Sequence, residues 1–213
     1  MPTLLHIDSS PLYGRSVSRE LTAAFVSQWE ASHPDGRVVD RDLSATAISP
    51  ITAEWLAAIY TPEESRTPQQ KEQLSFSDSL IAELEQADEY VIGVPMHNFG
   101  VPSALKLWID QIACVGRTFS YADGTPKGFL IGKKATFIIA TGGIYDAQTQ
   151  IASFNFVEPY LRSIFGFPGV TDATLLTAGG TMALNYGQDR DAFLAPHFQA
   201  AQTHAQTIQG GHA

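Results

Sequence analysis

Three short stretches carry side chains that could do chemistry, and each follows an apolar run. The first is Met96-His97-Asn98-Phe99-Gly100, where a thioether, an imidazole, an amide and a phenyl ring share one loop. That mixture suits a flat heteroaromatic ligand with polar edges better than a metal or a nucleophile. The second runs from Ser9 to Arg19 and holds four serines, Ser9, Ser10, Ser16 and Ser18, with Gly14 and two arginines, Arg15 and Arg19. A strand, such a loop and a helix start make an anion site, because free amides and the helix dipole both favour a phosphate. A plain capped loop between strand and helix is the other reading of the same residues. The third is Thr141-Gly142-Gly143-Ile144-Tyr145, where paired glycines let the backbone lie against a ligand or simply turn tightly.

Other chemistries lack their residues. No G-x-G-x-x-G occurs, and Gly128 to Lys134 misses a phosphate-binding P-loop by one residue and by the hydroxyl that would hold magnesium. Six histidines, His6, His33, His97, His197, His204 and His212, are scattered without paired-ligand spacing, so no metal site is expected. Cys114 is the sole cysteine and sits among Ile112, Ala113 and Val115, which reads as a buried inert thiol in a reducing cytoplasm. The amino terminus lacks the basic-then-apolar pattern of a signal peptide, and no apolar run approaches the ~18 residues of a membrane span. Twenty-two acidic against 13 basic residues give a net charge of −9, which argues against a nucleic-acid partner.

The elements that must position these loops follow from pattern. Tyr90 to Val94 is a β-prone run ended by Pro95, and Ser103 is expected to cap a helix through Ala104, Leu105, Leu107, Trp108 and Ile109. Thr3 to Asp8 reads as a first strand. Val17, Leu21, Phe25 and Trp29 at four-residue spacing form one face of the helix after it. Arg37 to Asp42 is a charged edge strand. The long connection from Leu43 to Pro68 contains a short helix through Trp55 and Tyr60, aromatics that could line a pocket or pack on the domain. A helix over Gln69 to Gln86 delivers the chain to Tyr90. Gly116 to Phe129, with Phe119, Tyr121 and the turn Asp123-Gly124, reads as a hairpin or flap. Trp108, Phe119 and Tyr121 are more aromatic surface than one small domain is expected to expose unpaired, so a contact between two copies is expected around the helix from Ser103 and this flap, burial within one chain being the other reading. Ala135 to Ala140 is a central strand, followed by a helix from about Gln148 to Phe165. Ala173 to Thr177 is a fifth strand, and a last helix over Arg190 to Ile208 ends in a tail, 209–213, expected to fray.

Five strands alternating with helices over 213 residues predict one doubly wound α/β domain spanning 1–213, a parallel sheet covered on both faces. In the flavodoxin-like order 2-1-3-4-5 the three ligand-like loops follow neighbouring strands, so one ligand could touch all three.

With Pro95 to Phe99 before a helix, the serine-bearing first loop and the glycine pair after the fourth strand, the chain resembles the FMN-dependent NADH-azoreductases, relatives of the NAD(P)H:quinone oxidoreductases. The likeness covers almost the whole chain, to about Ile208. The resemblance implies FMN held at its phosphate by Ser10, Ser16, Val17 and Ser18. It implies that Met96, His97, Asn98 and Phe99, with Ala140, Thr141, Gly142 and Gly143, border the isoalloxazine ring. It further implies NADH as donor, a quinone or azo acceptor, a homodimer, and a substrate stacked on the flavin near the subunit boundary, with Tyr60, Phe119 and Tyr121 expected in the substrate pocket. Flavin N5 would take the hydride, so no catalytic side chain is expected, and donor and acceptor would use one face in turn. Two positions depart from the family. His97 stands where tyrosine is common, which is expected to make activity more sensitive to pH, and Ala140-Thr141 replaces a serine-arginine pair. An electron carrier that holds FMN and docks a redox protein, and a phosphorylated-metabolite binder without flavin, are the competing readings.

Overall fold

The computed structural model describes residues 1–121 and 124–207. The chain builds β1 (Thr3–Asp8), α1 (Val17–Ser32), β2 (Arg37–Asp42), α2 (Ala53–Ile59), α3 (Pro68–Gln86), β3 (Glu89–Pro95), α4 (Ser103–Ile112), the short strands β4 (Phe119–Ser120) and β5 (Lys127–Gly128), β6 (Lys134–Thr141), α5 (Val157–Gly166), β7 (Asp172–Gly179) and α6 (Arg190–Thr207). The main sheet has the order β2-β1-β3-β6-β7, and every pair in it is parallel. Leaving out the two-stranded hairpin β4-β5, this is the expected flavodoxin-like order 2-1-3-4-5, with the charged strand β2 at an edge.

Alternation along the strands splits the core into two layers. Leu5 and Ile7 of β1 join Tyr90, Ile92, Phe137 and Ile139 against α3, α4 and α5, whereas Leu4, Val91 and Ile138 pack with Phe25 and Trp29 of α1 and with Leu194 and Ala201 of α6. Burying strands on both faces is what lets them read as almost unbroken apolar runs.

Several expectations are corrected. The helix expected over Gln148 to Phe165 is a 3-10 turn at Ala152–Phe154 followed by α5. Pro159 gives the reason: with no amide proton it fits only the first turn of a helix, so the helix starts just before it. Pro102, and not Ser103, stands at the cap of α4, and no side chain caps that end. Trp108 is fully buried against Phe165, ring centroids 6.2 Å apart, so it contributes nothing to a surface between subunits. Trp55 is structural: its indole Nε1 donates to Ser77 Oγ at 2.9 Å, Ser77 donates to Gln111 Oε1, and Gln111 Nε2 donates to the Ser49 carbonyl at 2.9 Å. That buried chain of hydrogen bonds fastens the long connection to α3 and α4. The hairpin β4-β5 is antiparallel as the flap reading required, while Asp123 of its expected turn and the tail beyond Thr207 lie outside the described residues.

Candidate functional site

The carboxyl ends of β1, β3 and β6 meet at the switch point of the sheet, where the strand order reverses. After β1, Ser9 donates to the Gly93 carbonyl at 2.6 Å and ties the first loop to β3. The Ser10 carbonyl accepts from Arg19 Nε and Nη2 at 2.9 and 2.7 Å and from Ser44 Oγ at 2.7 Å, and its hydroxyl accepts from the Leu12 amide at 3.3 Å. Ser16 caps α1, its Oγ accepting from the Arg19 amide, and lies 3.2 Å from Ser18 Oγ. Geometry leaves the amides of Val17 and Ser18 in the first helical turn without intrahelical acceptors. All of Ser10, Ser16, Val17 and Ser18 are buried, so an anion held there would be shielded from water.

Arg19 belongs to the scaffold and not to the anion site that its neighbouring serines suggested. Its guanidinium lies 2.6 Å from Asp42 Oδ1 and 3.3 Å from Asp8 Oδ2, with the Tyr13 ring 4.6 Å from it. Burial would push the Asp42 carboxyl up, but hydrogen bonds from Arg19, Ser44 and Ala45 outweigh it and hold the carboxyl below its usual range. Arg15, by contrast, opens on the cavity described below.

After β3 the chain makes a two-residue turn. His97 and Gly100 exchange backbone hydrogen bonds of 3.0 Å in each direction, and the residues between them, Asn98 and Phe99, have φ of 49° and 68°. Positive φ at both central positions is the turn that matches strand twist, and asparagine accepts it easily whereas phenylalanine does not. Phe99 is retained against that cost by what it touches: its ring lies 5.1 Å from Phe154 and edge-on to Tyr145 at 6.3 Å, and its carbonyl accepts from the Phe156 amide. The Met96 amide donates to the Ala140 carbonyl at 2.8 Å, which locks this loop beside β6.

After β6, Thr141 Oγ1 donates to the Gly143 carbonyl at 2.7 Å and closes the glycine turn. The loop after β7 then folds over it. Gly180, at φ 81°, donates its amide to the Gly143 carbonyl, Met182 to the Gly142 carbonyl, and Thr181 Oγ1 to the Thr141 carbonyl at 3.1 Å. A Cβ on Gly143 would lie 3.2 Å from the Tyr145 ring, so the glycine is what lets that ring lie over the turn.

The three loops share one cavity of about 430 Å³. Ser10, Ser16 and Val17 line one end, Met96 and His97 a second wall, and Ala140 and Gly142 a third. Ser18 and Thr141 stand behind these walls, hydrogen-bonded to Ser16 and Gly143, while Asn98 and Phe99 form the exposed turn at the rim and Gly143 lies beneath Tyr145. Sequence reasoning missed the fourth wall: Thr181, Leu184 and Asn185 from the loop after β7, and Arg190, which pairs with Glu20. The signal was the pair Gly179-Gly180 at another strand end. Tyr60, Phe119 and Tyr121 do not line this cavity. Tyr60 is 74% exposed and borders a separate depression with Arg66 and Arg117, and Phe119 and Tyr121 pack on Phe167. Among the described residues, no group of three or more His, Cys, Asp or Glu could hold a metal ion, and no helix is long and apolar enough to cross a membrane.

A parallel five-stranded sheet of order β2-β1-β3-β6-β7, with a serine-capped helix start and two backbone loops at its switch point, defines a flavodoxin-like protein. A family profile described as having the flavodoxin-like fold matches residues 2–205, and the chain belongs to that family. It is 54% identical over 200 residues to an FMN-dependent NADH:quinone oxidoreductase of Acidobacterium capsulatum, covering 93% of this chain and 97% of that protein. It is 48% identical over 200 residues to FMN-dependent NADH:quinone oxidoreductase 3 of Burkholderia lata, with 93% and 97% covered. In fold it is similar to an FMN-dependent NADH-azoreductase from Bacillus anthracis solved in complex with FMN, with a TM-score of 0.85 at 24% identity over 96% of this chain and 98% of that one.

Proposed function

We propose that this protein is an FMN-dependent NADH:quinone oxidoreductase that also accepts azo compounds, one FMN being held in the cavity at the switch point. The observation that carries the reading is the cavity's two-ended chemistry. At one end, buried hydroxyls of Ser10 and Ser16 and the first-turn amides of α1 fit a phosphate. At the other, Met96, Ala140 and Gly142 present apolar and backbone surface to a planar ring. FMN, when bound, supplies the hydride acceptor, so the protein needs no catalytic acid of its own. What the chain contributes is placement. The loop after β7 occupies the carbonyls of Thr141, Gly142 and Gly143, leaving the amides of Gly142 and Gly143 as the polar groups this turn can offer to negative charge on a reduced ring. The names of the relatives support the enzyme reading over an electron carrier.

The working unit in this reading is a homodimer in the cytoplasm. An apolar depression of about 550 Å³ between α4 and α5, lined by Val101, Phe156, Pro159 and Tyr160, begins at Gly100 of the flavin-side turn. In this reading the second copy supplies Tyr60, Phe119 and Tyr121 to the open side of the cavity, where NADH and then the quinone or azo acceptor would stack in turn. The buried free thiol of Cys114, its ionisation pushed up to about 12 by burial, fits a reducing compartment. The test is the visible spectrum of the purified protein after FMN addition and desalting, followed by NADH oxidation with a quinone. Retained flavin and parallel double-reciprocal lines are expected, and a protein that takes up no FMN would refute the proposal.

A further inference from the structure

Beneath the serine loop lies a row of ionisable side chains that the proposed hydride transfer does not use. β1 and β2 pair with His6 opposite Asp40 and Asp8 opposite Asp42, and alternation turns all four toward α1. His6 Nδ1 is 2.8 Å from Asp40 Oδ1, and its Nε2 is 3.5 Å from Asp8 Oδ2, a distance that suits an ion pair better than a hydrogen bond. Arg19 completes the row from α1, reaching Asp8 at 3.3 Å and Asp42 at 2.6 Å while donating two hydrogen bonds to the Ser10 carbonyl. Thr22 Oγ1 donates to the other Asp8 oxygen at 3.0 Å. On the remaining side β3 sets the uncharged Val91 and Gly93 beside His6 and Asp8, and the ionisable Glu89 of the same face lies one step further along, opposite Leu4, where Trp29 donates to it. Gly93 is what leaves room for the carboxylate, since a Cβ there would stand 2.8 Å from Asp8 Oδ1.

The row therefore runs from a nearly buried imidazole, whose Nε2 has no hydrogen-bond partner among the described residues and meets Asp8 only as a 3.5 Å ion-pair contact, to the backbone of the loop that faces the phosphate. Three carboxylates, Asp8, Asp40 and Asp42, stand against Arg19 and, when its ring is protonated, His6. Resting on the FMN reading, we infer that His6 is a positioning residue whose protonation strengthens the hold of the Ser10 loop on the flavin phosphate, acting through Asp8 and Arg19. Two effects share one sign. A neutral ring leaves one more uncompensated negative charge near a phosphate dianion. It also leaves Arg19 as the cation facing Asp8, which draws the guanidinium from the Ser10 carbonyl. Burial opposes protonation of His6, but Asp8 and Asp40 outweigh it and place its titration above the ordinary value of 6.5. Linkage requires the converse: bound FMN makes the His6 proton harder to remove.

The test is the dissociation constant of FMN, read by quenching of flavin fluorescence, from pH 7 to 9. In this range the phosphate is already a dianion, its second ionisation lying near ~6. The natural protein is expected to lose roughly threefold to tenfold in affinity across the range, the scale of one charge acting through a screened interior. His6→Gln is expected to show a flat profile, and riboflavin, which has no phosphate, a flat profile with both proteins. Superimposable FMN profiles for the two proteins, or the same step with riboflavin, would overturn the inference while leaving the cofactor reading intact. Failure of the natural protein to bind FMN at any pH would overturn both. Should His6→Gln fold poorly, the imidazole titration of His6 in the natural protein, followed by NMR with and without FMN, decides the matter. An upward shift on binding is expected, and an unmoved midpoint would overturn the inference.

Discussion

The indole Nε1 of Trp29 donates to Glu89 Oε2 at 2.8 Å, across the sheet end opposite the candidate site, and the other oxygen of that fully buried carboxyl has no hydrogen-bond partner among the described residues. Burial raises the ionisation of Glu89 above the usual range, against the lowering influence of Trp29, His33 and Lys134. The folded state thus holds the proton more tightly than the unfolded chain. Stability from this group is present in full below the unfolded value, near ~4.3, and is lost as pH rises through the folded value. Glu89→Gln retains an acceptor for Trp29 and removes the ionisation. Its melting temperature relative to the natural protein is expected to climb as pH is raised from 4 toward neutrality, and a pH-independent difference would contradict this.

A side chain at Gly128 would put its Cβ 2.2 Å from the carbonyl carbon of Pro168 and 2.4 Å from the Gly169 amide nitrogen. Both neighbours are backbone, so neither can swing away, and the hairpin β4-β5 is thereby set against the turn between α5 and β7. Gly128→Ala is expected to cost about 1 to 3 kcal/mol in urea unfolding, the range for overpacking a filled site. Gly14, with nothing within 4 Å of such a Cβ, supplies the control.

Much of this architecture was legible because parallel strands buried on both faces leave long apolar runs. β1 and β2 have the bounds read from sequence, and the three loops expected to share a ligand do line one cavity. What escaped did so for physical reasons. The loop after β7 is a 3-10 turn, Thr181–Tyr186, too short to show an apolar period, so Thr181, Leu184 and Asn185 gave no signal beyond Gly179-Gly180. Arg19 looked like an anion ligand because its serine neighbours are adjacent in sequence, whereas its true partners, Asp8 and Asp42, lie 11 and 23 residues away and converge only in the sheet. Trp108 falls at helical spacing with Leu105, Ile109 and Ile112, a pattern that belongs to the core.

Ser16 serves two ends at once, capping α1 and lining the cavity, while Ser18 supports it at 3.2 Å. Removing both hydroxyls is expected to weaken FMN binding by roughly 1 to 3 kcal/mol, the cost of lost hydrogen bonds to a charged group. The free protein should lose about 1 kcal/mol of stability from the missing cap. Flavin fluorescence titration and urea unfolding read the two effects separately. Unchanged FMN affinity beside a destabilised fold would assign these serines to the helix alone.

Phe156 is 58% exposed and lines the apolar depression between α4 and α5, directly after the residues that hold the Phe99 ring. Its amide donates to the Phe99 carbonyl, so the face proposed for the second copy is hydrogen-bonded directly to the rim of the cavity. Light scattering at micromolar concentration is therefore expected to give twice the chain mass of 23.1 kDa. Phe156→Asp, which removes the aromatic ring from that face and puts a carboxylate there, should shift the protein to monomers, because burying a charge in a contact costs several kcal/mol, more than one exposed lysine, Lys106, returns. If Tyr60, Phe119 and Tyr121 act from the second copy, the monomeric variant should keep its affinity for FMN within about threefold, a change under 1 kcal/mol, and lose most of its turnover with a quinone. A Phe156→Asp monomer with full quinone reductase activity would show that one chain completes the substrate pocket by itself.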